Sequence, residues 1–177
     1  VLDYTGELFF PLNQALRGEG PNTPALFDTQ TQLLDDFIAE APLTTDDLVV
    51  YRGRYENPEH QVGDVFSDPA FVSTSLNEDF SRSWAGFGTL YSIRVPPGTP
   101  LAYVDAVLNR QTPMDAFPYP SDIVDQGAHQ QEILLARDSL FRVVEIRDRS
   151  TPRDAREVIL ELAPRGRRAF ARRPNQV

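Results

Sequence analysis

The sequence predicts one α+β domain in which helices come first and most strands follow. A length of 177 residues with 41% hydrophobic residues suits a single domain with a substantial core. Apolar residues recur at helical spacing before Pro42, and short apolar or alternating runs replace that pattern after it. This order of elements favours antiparallel or mixed sheets over a parallel α/β sheet.

Three segments predict helices. Residues 8–18 form a short helical pattern, and Pro11 is tolerated because it falls in the first turn. Residues 77–86 predict another short helix, with Asn77 as its N-cap and acidic residues in its first turn. Residues 25–40 place five large apolar side chains near one helical face. These are Leu26, Leu33, Leu34, Phe37 and Ile38.

The remaining apolar runs predict strands, because they are short, rich in β-branched residues and bounded by turn residues. They lie at 48–52, 64–68, 70–75, 90–95, 132–136, 140–146 and 156–162. A Pro-rich connection at 105–130 interrupts the series. A connection of this length is uncommon in a compact domain unless it has a function, so it draws attention to the residues that follow it.

Charge and composition exclude several classes of function. The net charge is −9, and five arginines lie in 163–177 without any acid, so the remainder carries −9 − 5 = −14. An acidic body disfavours general nucleic-acid binding.

No apolar run approaches the length of a membrane span. His60 and His129 lack partners at metal-ligand spacing, so we expect no metal site. All seventeen basic residues are arginine.

Three polar motifs stand at strand ends. Arg52 ends the strand at 48–52, the hydroxyl cluster Ser73-Thr74-Ser75 ends the strand at 70–75, and Gln130 and Glu132 open the strand at 132–136. Each has a plain alternative: a surface ion pair, a turn, or a solvated carboxylate. Residues two apart in a strand share a face, so we expect Gln130 and Glu132 to enter one cleft.

In this order and spacing the motifs resemble those of bacterial toxin-type mono-ADP-ribosyltransferases, in the branch with Arg, Ser-Thr-Ser and a final Glu. The resemblance covers nearly the whole chain. The segment "YTGELFFPLNQALRG" looks like the family's first helix, in which the positions of Asn13 and Arg17 contact NAD. "SWAG" places Trp84 where the family has an aromatic against nicotinamide, and "EILLARDS" resembles the run after the catalytic Glu.

The resemblance implies a fold of two mixed or antiparallel sheets around an NAD cleft, with N-terminal helices beside them. It implies NAD as substrate. Glu132 would stabilise the positive charge that develops on the ribose as nicotinamide leaves. Arg52 would hold a phosphate through its planar fork of donors, assisted by Arg17. Ser73 would hold the Glu132 carboxylate, while Thr74 and Ser75 hold the local backbone.

Three positions leave an alternative open or depart from the family's pattern. Trp84 would pack on the cationic nicotinamide ring or, alternatively, belong to the core. Phe87 stands where some relatives have a phosphate-binding Arg, which Arg82 would replace. Gly127 stands where relatives often have an aromatic in the target-recognising loop, and we expect Phe117 and Tyr119 to take over that contact.

Gln130 departs from the arginine-modifying members, which resemble this chain but have Glu there. An amide cannot act as a general base, so we expect an acceptor other than arginine, namely Asn, Gln or Thr of a host protein such as a GTPase or actin. A nucleic-acid acceptor is disfavoured. In the family, Gln-x-Glu occurs in exoenzymes that modify asparagine on Rho GTPases.

The predicted organisation is a catalytic domain at 1–163 and a basic C-terminal tail at 164–177, monomeric in isolation. The resemblance implies a virulence effector that is secreted or injected and acts in the cytoplasm of a host or competitor cell. Two alternatives remain: an NAD glycohydrolase, and an inactive domain that keeps the fold to bind a partner.

Overall fold

The computed structural model describes residues 8–104, 131–148, 151 and 154–164. Three α-helices lie in this part of the chain. They are α1 (Phe9–Arg17), α2 (Asp28–Ala39) and α3 (Glu78–Ala85), and a 3-10 turn at Pro24–Phe27 leads directly into α2. The three helices predicted from the sequence are therefore confirmed, with ends that differ by a residue or a few.

Eight strands form the rest of the described core. They are β1 (Leu48–Arg54), β2 (Val65–Asp68), β3 (Val72–Ser75), β4 (Thr89–Val95), β5 (Ala102–Tyr103), β6 (Glu132–Leu135), β7 (Ser139–Arg147) and β8 (Arg156–Leu162). Seven of them were predicted. The sequence patterns missed β5, which is too short to show an alternation.

The helix ends follow from their local sequence. Gly18 ends α1 in the left-handed region (φ 74°), where glycine has no Cβ to clash. The side chain of Asn77 accepts a hydrogen bond from the Phe80 N–H (3.1 Å), so Asn77 is the N-cap of α3 as predicted. Acidic residues in the first turn of α3 suit the positive end of its dipole.

The apolar face predicted for 25–40 is right in part. Leu34 and Ile38 are buried against the sheet, but Leu26 and Leu33 are 64% and 63% exposed. Leu26 lies in the 3-10 turn, which changes the angular phase of the residues before α2. Leu33 precedes the buried Leu34, and neighbours in a helix point about 100° apart. The buried stripe is consequently narrower than the sequence indicates.

The strands are hydrogen-bonded in the order β2-β7-β8-β4-β1-β3-β6-β5. Neighbours are antiparallel except β4 and β8, which are parallel, so the predicted mixed sheet is confirmed. The prediction of two sheets needs a refinement. In the described residues β1 and β3 pair only at Tyr51 and Ser75, and this one pair joins the five strands β2-β7-β8-β4-β1 to the three strands β3-β6-β5.

Two apolar clusters hold the described part of the domain together. The larger lies between the two parts of the sheet and includes Val50, Ile93, Ile133 and Val158. The second lies between the N-terminal helices and the outer face of β3-β6-β5, and it includes residues from both. Its members include Leu12, Leu34, Ile38, Phe71 and Leu134. The helices are therefore packed against the strands that carry the Ser-Thr-Ser motif and Glu132.

No helix within the described ranges has both the length and the apolar character needed to cross a lipid bilayer.

Candidate active site

One row of residues crosses the three strands that carry the predicted motifs. Tyr51 on β1 lies opposite Ser75 on β3, and Ser75 lies opposite Glu132 on β6. Arg52 is the next residue along β1, and Ser73 is two residues back along β3. Neighbouring strands are about 4.8 Å apart. The backbones of the three motifs, far apart in sequence, are thus adjacent in the fold.

The alternation of side chains assigns the motif residues to faces. Residues directly opposite each other in antiparallel strands share a face, so Ser75 and Glu132 lie on one face and Ser73 lies on the same one. Arg52 follows Tyr51 along β1, so alternation places it on the opposite face of the sheet, which is the face of Val50. The Nη1 atom of Arg52 is buried. The convergence of Arg52, Ser73 and Glu132 on one bound NAD therefore stays a prediction.

Glu132 is a buried carboxylate, with 9% of its surface exposed. Ionised groups seldom occupy such positions without a functional or pairing reason. The residue before it, Gln131, has φ 45° in the left-handed region, and its carbonyl accepts a hydrogen bond from the Leu76 N–H (3.1 Å). A non-glycine residue in that conformation is uncommon, and it is held here at the entry to β6.

The conformation of Gln131 corrects one step of the sequence argument. Strand β6 begins at Glu132, so the regular strand alternation assumed for Gln130 and Glu132 does not extend back through Gln131. A left-handed residue between them breaks the period of two on which that expectation depended. Gln130, Phe117 and Tyr119 lie outside the described residues, and their predicted roles stay predictions.

Two of the three Ser-Thr-Ser hydroxyls make hydrogen bonds with the backbone, as the sequence predicted. Thr74 Oγ1 donates to the Ile133 carbonyl across β3 and β6 (2.8 Å), and Ser75 Oγ accepts from the Asn77 N–H (2.8 Å). Both therefore hold the local backbone. Ser73 lies opposite Leu134 on β6. The next pair of residues on the same face of the sheet is Ser75 and Glu132. The hydrogen bond from Ser73 to Glu132 stays a prediction.

The first helix contacts the segment that leads into β3 through a hydrogen bond and an ion pair. Asn13, which is buried, accepts a hydrogen bond from the Phe71 N–H through Oδ1 (3.1 Å). Arg17 lies one turn further along α1 and donates from Nε to Asp68 Oδ1 (2.9 Å) and from Nη2 to Asp68 Oδ2 (2.8 Å). The Asn-x-x-x-Arg spacing thus puts both side chains on one helical face, directed at residues 68–71. Their contact with NAD stays a prediction.

Trp84 lies on the exposed surface of α3. Trp84 is 54% exposed. The centroid of its ring lies 6.5 Å from that of Tyr55 and 6.4 Å from that of Phe80. The core-packing alternative for Trp84 is therefore wrong. Phe87, in the turn after α3, is 63% exposed. Arg82, expected to replace a phosphate-binding Arg, is paired with Glu78 one turn earlier (2.6 Å), and its role stays a prediction.

Gly53 fixes α3 above the strand that carries Arg52. A Cβ at Gly53 would lie 2.5 Å from the Ala85 nitrogen and closer still to the Ser81 carbonyl oxygen. Real Cβ atoms do not approach backbone that closely, so only glycine lets α3 rest on β1 at this point. No role was assigned to this glycine from the sequence. The signal was present, because glycine in the interior of a strand often marks a close backbone approach.

The family is decided by a match that covers most of the chain. The family model described as "ADP-ribosyltransferase exoenzyme" matches residues 1–163. The chain belongs to the ADP-ribosyltransferase exoenzyme family. It is an NAD-dependent mono-ADP-ribosyltransferase domain of the toxin type, and NAD is its substrate. A comparison with curated protein sequences gave no match.

Solved structures of similar fold include several exoenzymes. Plx2a, an ADP-ribosyltransferase toxin of Paenibacillus larvae, is 20% identical, with a TM-score of 0.66 over 91% of this chain and 82% of that one. C3stau2 of S. aureus, solved with NAD, is 18% identical, with a TM-score of 0.65 over 92% and 84%. Exoenzyme S of Pseudomonas aeruginosa, solved with human 14-3-3 protein beta and carba-NAD, is 21% identical, with a TM-score of 0.63 over 90% and 70%.

A hydrogen-bonded group beside Arg52 was missed by the sequence analysis of this exoenzyme domain. Tyr91 lies opposite Arg52 on β4 and is buried, and its hydroxyl is 2.9 Å from His60 Nε2. Burial raises the pKa of Tyr91, against the lowering effect of the Arg54 and Arg52 charges. Burial likewise lowers the pKa of His60, which stacks on Phe66 with a centroid distance of 5.0 Å.

Tyr51, the first residue of the row, is tied to α3. Burial raises its pKa, and so does the negative charge of Glu78, whose carboxylate accepts the Tyr51 hydroxyl hydrogen bond. Glu78 also pairs with Arg82, so β1 and α3 share a polar link in addition to the contact at Gly53. No sequence pattern could reveal this link, because it depends on the packing of two separate elements.

Two surface depressions among the described residues lie away from this row. One is lined by residues that include Thr99, Leu135 and Leu162, and the other by residues that include Val65, Phe141 and Pro164. Neither involves Arg52, Ser73 or Glu132. The strand register and the family match indicate the candidate site instead, because they concern the residues whose chemistry suits NAD.

Proposed function

We propose that this domain transfers ADP-ribose from NAD to a protein side chain other than arginine, namely Asn, Gln or Thr. The target is a protein of a host or competitor cell, such as a GTPase or actin, and it is reached in the cytoplasm of that cell. The observation that carries the proposal is the Gln-x-Glu sequence at 130–132, within a family match that spans residues 1–163.

Glu132 has the chemistry that the bond cleavage requires. As the bond from ribose to nicotinamide breaks, positive charge develops on the sugar, and a carboxylate close to the ribose lowers the energy of that state. The burial of Glu132 supports this role, since a Coulombic interaction is stronger where water is excluded. Nicotinamide leaves with the electron pair of the broken bond, and the nucleophilic acceptor then forms the new bond to the ribose.

The arginines suit the other end of the substrate. NAD carries a pyrophosphate, and planar guanidinium groups bind phosphate oxygens through paired donors. Arg17 on α1 and Arg52 on β1 are proposed to supply them. Exposed aromatic surface at Trp84 suits a cationic nicotinamide ring, which an aromatic face attracts.

Gln130 supports the choice of acceptor. A carboxylate at this position activates a guanidinium in the arginine-modifying relatives, and an amide cannot take up a proton in that way. An amide both donates and accepts hydrogen bonds, so it can orient another amide or a hydroxyl. The acidic body, with a net charge of −9 for the whole chain, favours a protein acceptor over nucleic acid.

The test is incubation of the purified chain with host-cell lysate and NAD labelled in the adenylate part, followed by mass spectrometry of modified peptides. ADP-ribose on Asn, Gln or Thr supports the proposal. ADP-ribose on arginine contradicts the choice of acceptor, and free ADP-ribose without modified protein indicates a glycohydrolase. A Glu132→Gln sample is the control for non-enzymatic attachment. The same assay on residues 1–163 tests the proposed boundary between the catalytic domain and the tail at 164–177.

A further inference from the structure

Asp68 and Arg17 form the best-defined ion pair near the candidate site. Both side chains are largely buried, with 20% of the Arg17 side chain and 14% of the Asp68 side chain exposed. Two parallel hydrogen bonds, of 2.9 and 2.8 Å, join them. Asp68 ends β2, and it stands 51 residues from its partner in sequence. Bidentate pairs of this kind fix the plane of the guanidinium as well as its position.

The pair leaves a defined edge of Arg17 for another anion. A guanidinium has five N–H donors. Asp68 takes the side-on pair, one from Nε and one from Nη2. One donor on Nη1 and the second donor on Nη2 form the end-on fork, which is the geometry that binds two oxygens of a phosphate. The same guanidinium can therefore hold Asp68 and a phosphate together, without exchanging one for the other.

We propose that Asp68 is a positioning residue that presents the end-on fork of Arg17 to the pyrophosphate of NAD. This inference rests on the proposed function, because it requires NAD to bind beside α1. An arginine that is free to rotate loses conformational freedom when it binds its ligand. Asp68 removes that freedom before NAD arrives, so the cost of ordering Arg17 is met by folding.

Simple electrostatics predicts the opposite effect for Asp68. A carboxylate next to a phosphate site repels the phosphate, so its removal would strengthen NAD binding if charge alone decided. The positioning role predicts that its removal weakens NAD binding. The direction of the change in KM therefore separates the two.

Asp68 also supports the backbone that leads to Ser73, and the test has to separate this structural role. Its Oδ1 accepts from the Ala70 N–H (3.0 Å), and its carbonyl accepts from the Asp138 N–H (2.7 Å). A shift of this turn would move β3, and with it the surroundings of Glu132. Such a shift would lower kcat, whereas a loose Arg17 raises KM for NAD.

Asp68→Asn is the variant that fits this purpose. The amide keeps the shape of the side chain, and its oxygen can still accept from Ala70 and from Arg17 Nε. Its NH2 group then faces Arg17 Nη2, donor against donor, so the side-on pair is lost. Asp35→Asn is the matched control. Asp35 on α2 holds Arg137 in an equally short bidentate pair, which ties a helix to the β6–β7 turn without involving Arg17.

The experiment measures KM and kcat for NAD consumption by the full chain, with thermal unfolding recorded for every variant. We expect Asp68→Asn to raise KM about three- to tenfold, as for the loss of one preordered side chain, with kcat within about twofold. In an Arg17→Ala background the same substitution should give no further rise in KM. Asp35→Asn should leave both constants unchanged while lowering the melting temperature about as much as Asp68→Asn does.

Several results would overturn the proposal: an unchanged or lowered KM in Asp68→Asn, a fall in kcat at constant KM, or the same rise in KM when Arg17 is already alanine. The proposed function fails separately, if the wild-type chain consumes no NAD. In that event titration of NAD into the wild-type and Asp68→Asn chains gives the same comparison through the dissociation constant, and absence of binding to both overturns the inference as well.

Discussion

Ser75 and Glu132 lie directly opposite each other on neighbouring antiparallel strands, and Glu132 is buried there. The hydroxyl of Ser75 is engaged with the backbone of Asn77, which fixes the end of β3 against the turn before α3 (2.8 Å). The carboxylate therefore stands beside a strand end that is held by its own hydrogen bonds. A rigid surrounding of this kind is what electrostatic stabilisation of a transition state requires, because the stabilising group does not reorganise during the reaction.

Replacement of Glu132 by Gln should abolish ADP-ribosyl transfer. The substitution keeps the size of the side chain and removes the negative charge, and single electrostatic groups of this kind contribute about 10²- to 10³-fold to kcat. The check is initial-rate measurement with labelled NAD, with the midpoint of urea unfolding as evidence that the fold persists. Activity in Glu132→Gln within about threefold of wild type would contradict the assigned role.

Replacement of Gln130 by Ala should lower transfer to protein more than it lowers hydrolysis of NAD. The predicted role of Gln130 is to orient the protein side chain that accepts ADP-ribose. Water as an acceptor depends less on such orientation, so hydrolysis should be less affected. Both rates can be read from one reaction, as label on protein and label in free ADP-ribose. Equal loss of the two rates would count against a role in orienting the acceptor.

Replacement of Trp84 by Ala should affect NAD binding without affecting stability. Trp84 is 54% exposed, so its loss should change the free energy of unfolding by less than about 1 kcal/mol. A cation–π contact of about 0.5 to 2 kcal/mol with nicotinamide predicts a rise in KM of about 2- to 30-fold. The measurements are urea unfolding and KM for NAD.

Phe71→Ala is the stability control for Trp84→Ala. Phe71 is fully buried, and large core aromatics cost about 3 to 5 kcal/mol when truncated to alanine. If Trp84→Ala instead destabilises the chain to the same extent, Trp84 acts in packing, and its predicted contact with nicotinamide loses its main structural support.

The sequence predicted the elements of this fold better than their connections. Apolar runs and caps placed seven strands and the N-cap of α3, because these depend on neighbours within a few residues. The pairing of Tyr51 with Ser75, and of Arg17 with Asp68, joins residues far apart in the chain, and no local pattern encodes it. The functional motifs were found through their order and their family resemblance, while Gly53 and Asp68, which support them from other elements, were not.

Replacement of Gly53 by Ala should destabilise the domain strongly. The new Cβ would meet backbone atoms of Ser81 and Ala85 in α3, which cannot move independently of the helix. Overpacking against rigid neighbours costs about 1 to 3 kcal/mol and sometimes more, so we expect a loss of about 3 kcal/mol in the free energy of unfolding. Because α3 carries Trp84, the affinity for NAD should fall as well. Urea unfolding and KM for NAD are the measurements.

Gly18→Ala provides the matched comparison for Gly53. Gly18 has φ 74°, and nothing lies within 4 Å of a Cβ built there. Gly18→Ala should therefore lower the free energy of unfolding only by the cost of a non-glycine residue in this conformation, about 1 kcal/mol. An equal loss for the two variants would show that contact with α3 is not what requires glycine at position 53.

His60 should make the stability of the domain depend on pH. Burial lowers the pKa of His60 below its ordinary value of 6.5, with Arg156 and Arg54 acting in the same direction and Asp64 against it. The unfolded chain therefore takes up the proton first as pH falls. The contribution of neutral His60 to stability is complete above its unfolded pKa and decreases as pH falls through 6.5 toward the folded pKa.

His60→Gln should remove this part of the pH dependence. Glutamine does not titrate, yet its amide can still hydrogen-bond to the Tyr91 hydroxyl, which His60 contacts at 2.9 Å. The measurement is the free energy of urea unfolding between about pH 7.5 and pH 5 for both chains. Wild type should lose more stability over this range than His60→Gln, and His129 cancels because both chains contain it. Parallel curves would mean that His60 has the same pKa in the folded and unfolded states, and that its burial beside Tyr91 carries no cost of protonation.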